Sequence, residues 1–220
     1  NVACFNAALS ACAWGGVSER WRGSVLGEMR RLRVQPDVVT WNVFMRGCAG
    51  RWQSALQLFG EISRRRLQPD HISQSTAISS CEKASQWRFA LLILGTACGS
   101  QCSVLSYNSA ISACGRAQRW EQALGLLAAA QRALLLPDIV GLSAAVSACE
   151  RADRWRCALL LFSAAPPRLL ARGSPGLDQA LLGAAVTSCE KARRWDWALR
   201  LLRDAPRYGV ETGPVSNSGC

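Results

Sequence analysis

The sequence holds one histidine, His71, and nowhere do a nucleophile, a base and an orienting acid recur together. That scarcity excludes the common constellations built on an imidazole, and no glycine-rich phosphate loop is present. No two cysteines stand as CxxC. Cys98 and Cys102 come nearest, with three residues between them and neither a second pair nor a histidine to complete a tetrahedral zinc site. No metal and no other cofactor is expected, and the chain reads as non-catalytic. A run of about twenty uncharged apolar residues is also missing. The most apolar region, 123–149, is interrupted by Arg132 and by Pro137-Asp138, so no membrane span is expected. Neither a low-complexity run nor a linker between different domains appears.

What is present is more informative. Half of the 220 residues are apolar, enough for a substantial core. Lys and Arg number 26 against 15 Asp and Glu, and a net charge of +11 favours a polyanionic partner such as nucleic acid or an anionic membrane surface. Six of the eleven cysteines, Cys12, Cys48, Cys81, Cys114, Cys149 and Cys189, recur at one place on an apolar helix stripe. A free thiol there behaves as a small hydrophobe. So many half-buried thiols suit a reducing compartment.

The chain is organised around 104–138, VLSYNSAISACGRAQRWEQALGLLAAAQRALLLPD. Tyr107, Ala110, Ile111 and Cys114 fall at i, i+3, i+4 and i+7, one face of a helix, and Trp120, Ala123, Leu124 and Leu127 repeat the spacing. Ala117, Gln118 and Arg119 alone separate the two helices. Such a pair can bury its stripes only against itself and against neighbouring pairs. Aligning on the recurring cysteine gives intervals of 36, 33, 33, 35 and 40 residues, a period of two-helix solenoids. The predicted architecture is all-α: one right-handed α-solenoid of stacked antiparallel helix pairs, with copies at 2–37, 38–70, 71–103, 104–138, 139–178 and 179–212. Residues 1–12 already read as the inside of a copy and 213–220 as the opening of a seventh. The chain is therefore expected to extend beyond both ends, where a targeting peptide would lie. In the second copy Thr40 is expected as the N-cap and Pro69-Asp70 as the stop of the second helix.

Function is sought in what recurs without being needed for packing. In the reference copy Asn108, Ser112 and Arg116 stand four apart, a polar line on the first helix. The corresponding lines are Ser75, Ser79 and Lys83; Ser143, Ser147 and Arg151; Gly183, Thr187 and Lys191; Asn42, Arg46 and Gly50; and Asn6, Ser10 and Trp14. An amide or hydroxyl at one end and a cation at the other suits a base edge and a phosphate. Glu82, Glu150, Glu190 and Glu121 read as helix-surface charges. The Arg64, Arg65 and Arg66 cluster reads as a solvated face.

The phrases VVTWN and VLSYN, the helix start YNSAISAC, the AL-x-LL second helix and the closing QPD, QPD and LPD resemble pentatricopeptide repeat proteins, which read one base per repeat. The resemblance covers essentially the whole chain. It implies sequence-selective binding of single-stranded RNA in a plastid or mitochondrion, with other RNA-processing proteins as partners and a monomeric chain. Carried onto these residues, it implies base-reading pairs Asn6 with Asp37, Asn42 with Asp70, Ser75 with Ser103, Asn108 with Asp138, Ser143 with Asp178, and Gly183 with Thr212. Base-stacking residues would be Val39, Ile72, Leu105 and Val140, with the smaller Ala3 and Ala180 in the end copies. Lys83, Arg116, Arg151 and Lys191 would lie along the phosphates. An Asp beside an Asn suits such reading, because a carboxylate fixes which way the amide points its donor. The alternative is a protein-binding helical-repeat scaffold with no base preference.

Overall fold

The computed structural model describes residues 2–12, 19–48, 51–96, 102–135, 138–165 and 175–205, and these form twelve helices. They are α1 Val2–Cys12, α2 Glu19–Arg31, α3 Val38–Arg46, α4 Trp52–Arg64, α5 His71–Lys83, α6 Trp87–Thr96, α7 Val104–Arg116, α8 Trp120–Arg132, α9 Ile139–Arg151, α10 Trp155–Ser163, α11 Pro175–Lys191 and α12 Trp195–Asp204. Among the described residues no strand occurs, and no helix is long and apolar enough to cross a membrane. The chain divides into two compact units, 1–113 and 114–220, with the boundary inside α7.

The first unit packs α3 against α4 and α5, with α5 against α6. One core cluster comprises Leu9, Trp41, Phe44, Met45, Cys48 and Ile62, each nearly or wholly out of solvent, with Trp21 and Leu26 of α2 against it. Burying a side chain of this size contributes about 1.5–3 kcal/mol, so α2 to α4 hold one another. The expected stripe is visible one pair further on, where Ala77, Ile78 and Cys81 are completely buried. In the second unit Ala145, Val146 and Cys149 of α9 meet Leu181, Ala185 and Cys189 of α11, all buried. Gly115 lets α7 come close to α9, since a Cβ there would stand 3.1 Å from that of Ala148.

Helix ends differ from the sequence expectation. Asp37, not Thr40, is the N-cap of α3: its carboxylate accepts from Thr40 N–H at 2.8 Å, and Thr40 returns the bond as the third helical residue of a capping box. The Asp70 and Asp138 carboxylates cap α5 and α9 by accepting from Ser73 and Gly141 N–H. Pro-Asp therefore opens the next helix and does not close the last one. The closing device is a single left-handed residue: α2, α4 and α8 end at Arg33, Arg66 and Leu134, with φ of 55°, 58° and 58°. Leu67 N–H then reaches back to Ile62 C=O at 3.0 Å, and Leu135 N–H to Ala130 C=O at 3.0 Å. The short inter-helix turns use the same device at Ser85, Gln118, Asp153 and Arg193. Helix α11 begins at Pro175, ahead of the expected copy start at 179, because proline's fixed φ suits the first helical position. Asp178 thus lies within the helix and is not its cap.

The second helices are tied by aromatic contacts. Trp120 and Trp155 open α8 and α10, and the arginine preceding the next second helix lies over each ring: Arg154 at 5.1 Å from Trp120 and Arg194 at 5.2 Å from Trp155. The recurring Arg-Trp dipeptide is thus a packing device, and these cations are engaged within the fold.

Cys48, Cys81, Cys114, Cys149 and Cys189 are buried free thiols, whereas Cys4 is exposed; Cys12 has no described side-chain environment, and Cys98 lies outside the described residues. Burial pushes the Cys81, Cys114 and Cys149 thiols up to about 11. Only the thiolate is alkylated readily. Iodoacetamide at pH 8 is therefore expected to modify Cys4 in the folded chain while those three resist until denaturant is added, as read by mass spectrometry. Equal labelling of Cys81 and Cys4 without denaturant would contradict the packing.

Candidate nucleic-acid interface

The base-reading position is the fifth residue of α1, α3, α5, α7 and α9 and the ninth of α11, and in α1 and α3 it meets the N-cap of the next first helix. Asn6 Nδ2 donates to both carboxylate oxygens of Asp37, at 3.0 and 3.2 Å. Asn42 Nδ2 donates to both of Asp70, at 3.1 and 3.2 Å. A third group completes each set. Thr40 Oγ1 stands 2.7 Å from Asn6 Oδ1 and 2.8 Å from Asp37 Oδ1, and Ser73 Oγ stands 2.6 Å from Asn42 Oδ1 and 2.8 Å from Asp70 Oδ1. Sequence spacing does not reveal that this hydroxyl meets the amide, because the two lie some thirty residues apart. Burial pushes the Asp37 and Asp70 carboxyls up, but hydrogen bonds from Thr40 and Asn6, and from Ser73 and Asn42, outweigh it and hold both below the ordinary value. His71 adds to the effect at Asp70. Both carboxyls are therefore ionised near neutrality and act only as acceptors.

In the third copy the pair is not formed. Ser75 does not meet Ser103: its hydroxyl donates to Ile72 C=O at 3.1 Å, while Ser103 caps α7 by accepting from Ser106 N–H at 3.2 Å. Asn108 is buried in α7, and Asp138 accepts from Gly141 N–H at 2.9 Å. Ser143 is half-buried on α9 and Gly183 exposed on α11. The Asp178 side chain, Trp14, Gly50 and Thr212 lie outside the described residues.

The second residue of α3, α5, α7 and α9 is apolar and faces solvent. Val39 is 51% exposed, Ile72 39%, Leu105 61% and Val140 44%. Ala3 and Ala180 are exposed as well. In the first unit a groove of about 260 Å³ gathers Arg46, Ser75, Ser79, Lys83 and Leu105. A reading position, a stacking position and two cations thus share one concavity. Arg46 stands mid-way along its polar line in the sequence, but it ends α3 much as Lys83 ends α5.

The four expected phosphate contacts are all exposed. Lys191 Nζ pairs with Glu150 Oε1 at 2.9 Å. Glu82 Oε1 likewise accepts from Ser112 Oγ of the following first helix at 2.8 Å. These two acids are therefore corrected from surface charges to bridges between successive first helices. In the arginine cluster Arg64 and Arg65 pair with Glu61, and Arg65 lies over Trp41 at 4.9 Å, a structural role. A larger apolar groove of about 670 Å³, walled by Trp155, Leu159, Phe162, Trp197 and Leu201, lies on second helices α10 and α12 and contains none of the first-helix positions. Among the described residues no three His, Cys, Asp or Glu side chains gather as a metal site.

Stacked helix pairs with a polar and apolar pattern repeated on the first helix define a tandem helical-repeat protein. The profile for the pentatricopeptide repeat domain matches residues 1–51 and 24–84, and that for the PPR repeat matches 105–131. The chain belongs to the pentatricopeptide repeat family. It is similar to the crystal structure of the pentatricopeptide repeat protein PPR10 from maize, at TM-score 0.69 and 22% identity over 96% of this chain and 30% of that one. It is also similar to PPR10 in complex with an 18-nt psaJ RNA element, at TM-score 0.65 and 22% identity over 96% of this chain and 29% of that one. The chain thus spans about 30% of the length of these structures. No curated protein matches it. The likeness carries the fold, a solenoid of stacked antiparallel helix pairs.

Proposed function

We propose that the chain binds single-stranded RNA along its first helices, one repeat to one base, and acts in organellar RNA processing, stabilisation, editing or translation. The observation that carries this reading is the exposure of Val39, Ile72, Leu105 and Val140 at one helical position. The fold does not need solvated apolar side chains there, and a base face would cover them. Each lies three residues before a reading position. Family membership supports an RNA partner, and PPR10 holds RNA in one of the structures to which this chain is similar. By analogy with the family, Asn6, Asn42 and Asn108 would favour uracil and Ser143 guanine. A plastid or mitochondrial site of action, and other RNA-processing proteins as partners, rest on the same analogy.

The groove beside Trp155 and Trp197 favours a second reading, a scaffold that holds an apolar protein segment. Asn42→Ser and Asn108→Ser separate the two. Bound fractions from a randomised RNA pool are expected to lose uridine at two positions, with the other positions unchanged. An identical base profile for wild type and variants would leave only the scaffold.

A further inference from the structure

We propose that Thr40 and Ser73 are specificity-determining positioning residues, which lock the Asn6 and Asn42 amides in one orientation and so set the preference for uracil over cytosine. This rests on the RNA-reading function above and identifies the groups that make each amide legible. An asparagine amide has two nearly isosteric orientations that exchange its N–H and C=O. In solution both are open to it. Here the carboxylates of Asp37 and Asp70 accept only, so each Nδ2 must face its carboxylate. Each Oδ1 is then left against a hydroxyl, 2.7 Å from Thr40 Oγ1 and 2.6 Å from Ser73 Oγ. The hydroxyl proton lies between two acceptors, the amide oxygen and the carboxylate oxygen, and joins the three groups into one hydrogen-bonded ring.

After these bonds each amide retains one N–H and one oxygen lone pair. Asn6 and Asn42 are 9% and 4% exposed, so little more than that outer edge can meet a ligand. Uracil presents its O4 acceptor beside its N3–H donor, and cytosine presents the reverse order, an N4–H donor beside an N3 acceptor. An amide free to flip accommodates either base, whereas a locked amide answers one. Thr40 and Ser73 are 0% exposed and do not reach the nucleotide themselves, so their effect passes through the asparagine. The same geometry recurs at Asn6 and Asn42 with distances within about 0.1 Å, although the third residue is threonine in one and serine in the other. The common element is the hydroxyl.

The test uses the full chain and synthetic RNAs that differ only by uracil or cytosine at the nucleotide assigned to Asn42 by the Asn42→Ser selection. Ser73→Ala is expected to reduce the uracil-to-cytosine affinity ratio at that nucleotide by roughly tenfold, with selectivity at other nucleotides unchanged. Ser73→Thr, which keeps the hydroxyl, is expected to restore the ratio. Thr40→Val and Thr40→Ser repeat the comparison at Asn6, and circular dichroism melts identify any variant that fails to fold. An unchanged ratio in Ser73→Ala, alongside an altered one in Asn42→Ser, would overturn the positioning role while leaving RNA reading intact. No base preference in any of the proteins would overturn both.

Discussion

Phe44→Ala is expected to lower the stability of the 1–113 unit by about 3–5 kcal/mol. Phe44 is completely buried, with its ring edge-on to Trp41 at 6.0 Å and 69° and to Trp21 at 6.4 Å and 84°. The equivalent position is alanine in the next four copies, where Ala77, Ala110, Ala145 and Ala185 are all buried at 0%. Those helix pairs are built around a small residue. The α2 to α4 region is built around a ring, and the tryptophans on either side are too rigid to collapse into the space it leaves. Since whole domains are stable by only about 5–15 kcal/mol, the loss removes a large share of the total. Urea unfolding followed by circular dichroism checks it, with a lower midpoint and unchanged slope as the expected outcome. A change under about 1 kcal/mol would mean that the ring is not packed as described.

The parts of this fold legible in the sequence are those set by local periodicity. The i, i+3, i+4, i+7 stripe places Ala110, Ile111 and Cys114 in the core because helix geometry alone decides which residues share a face. The recurring cysteine marks the copies for the same reason. Caps are less legible: Pro69-Asp70 reads as the stop of a helix, although the Asp70 carboxylate starts the next one. The true stops were invisible because Arg66 and Leu134 take a left-handed conformation that sequence reasoning assigns to glycine. The site divides along the same line. The exposed Val39, Ile72, Leu105 and Val140 could be located by counting, since each sits at a fixed offset from the asparagine position. The partners of Thr40, Ser73, Glu82 and Glu150 could not, because they come from another helix pair brought near by packing.

Reversing three cations at once, Lys83→Glu, Arg116→Glu and Arg151→Glu, is expected to cut RNA affinity at least about a hundredfold at low salt. Each substitution removes an attraction and sets an anion facing the phosphates. Counting four phosphate contacts from sequence gives a log affinity against log salt slope of about −3, but the geometry lowers the number. Lys191 is held by Glu150 at 2.9 Å, and a phosphate reaching it must displace a carboxylate of the same sign. With Lys191 discounted, the wild-type slope is expected to be shallower by about 0.7, and the triple variant should flatten it further. Lys191→Gln alone should change affinity by no more than a few fold, because the ammonium is already partly neutralised. Glu150→Gln should do the reverse, releasing Lys191 and steepening the slope by about 0.7. Fluorescence anisotropy across a salt series measures all of these. If Lys191→Gln were as damaging as the triple variant, the Glu150 pair would be a minor state in solution. If the triple variant bound RNA as well as wild type, the strand would have to follow another part of the basic surface, and Lys83, Arg116 and Arg151 would serve only solubility.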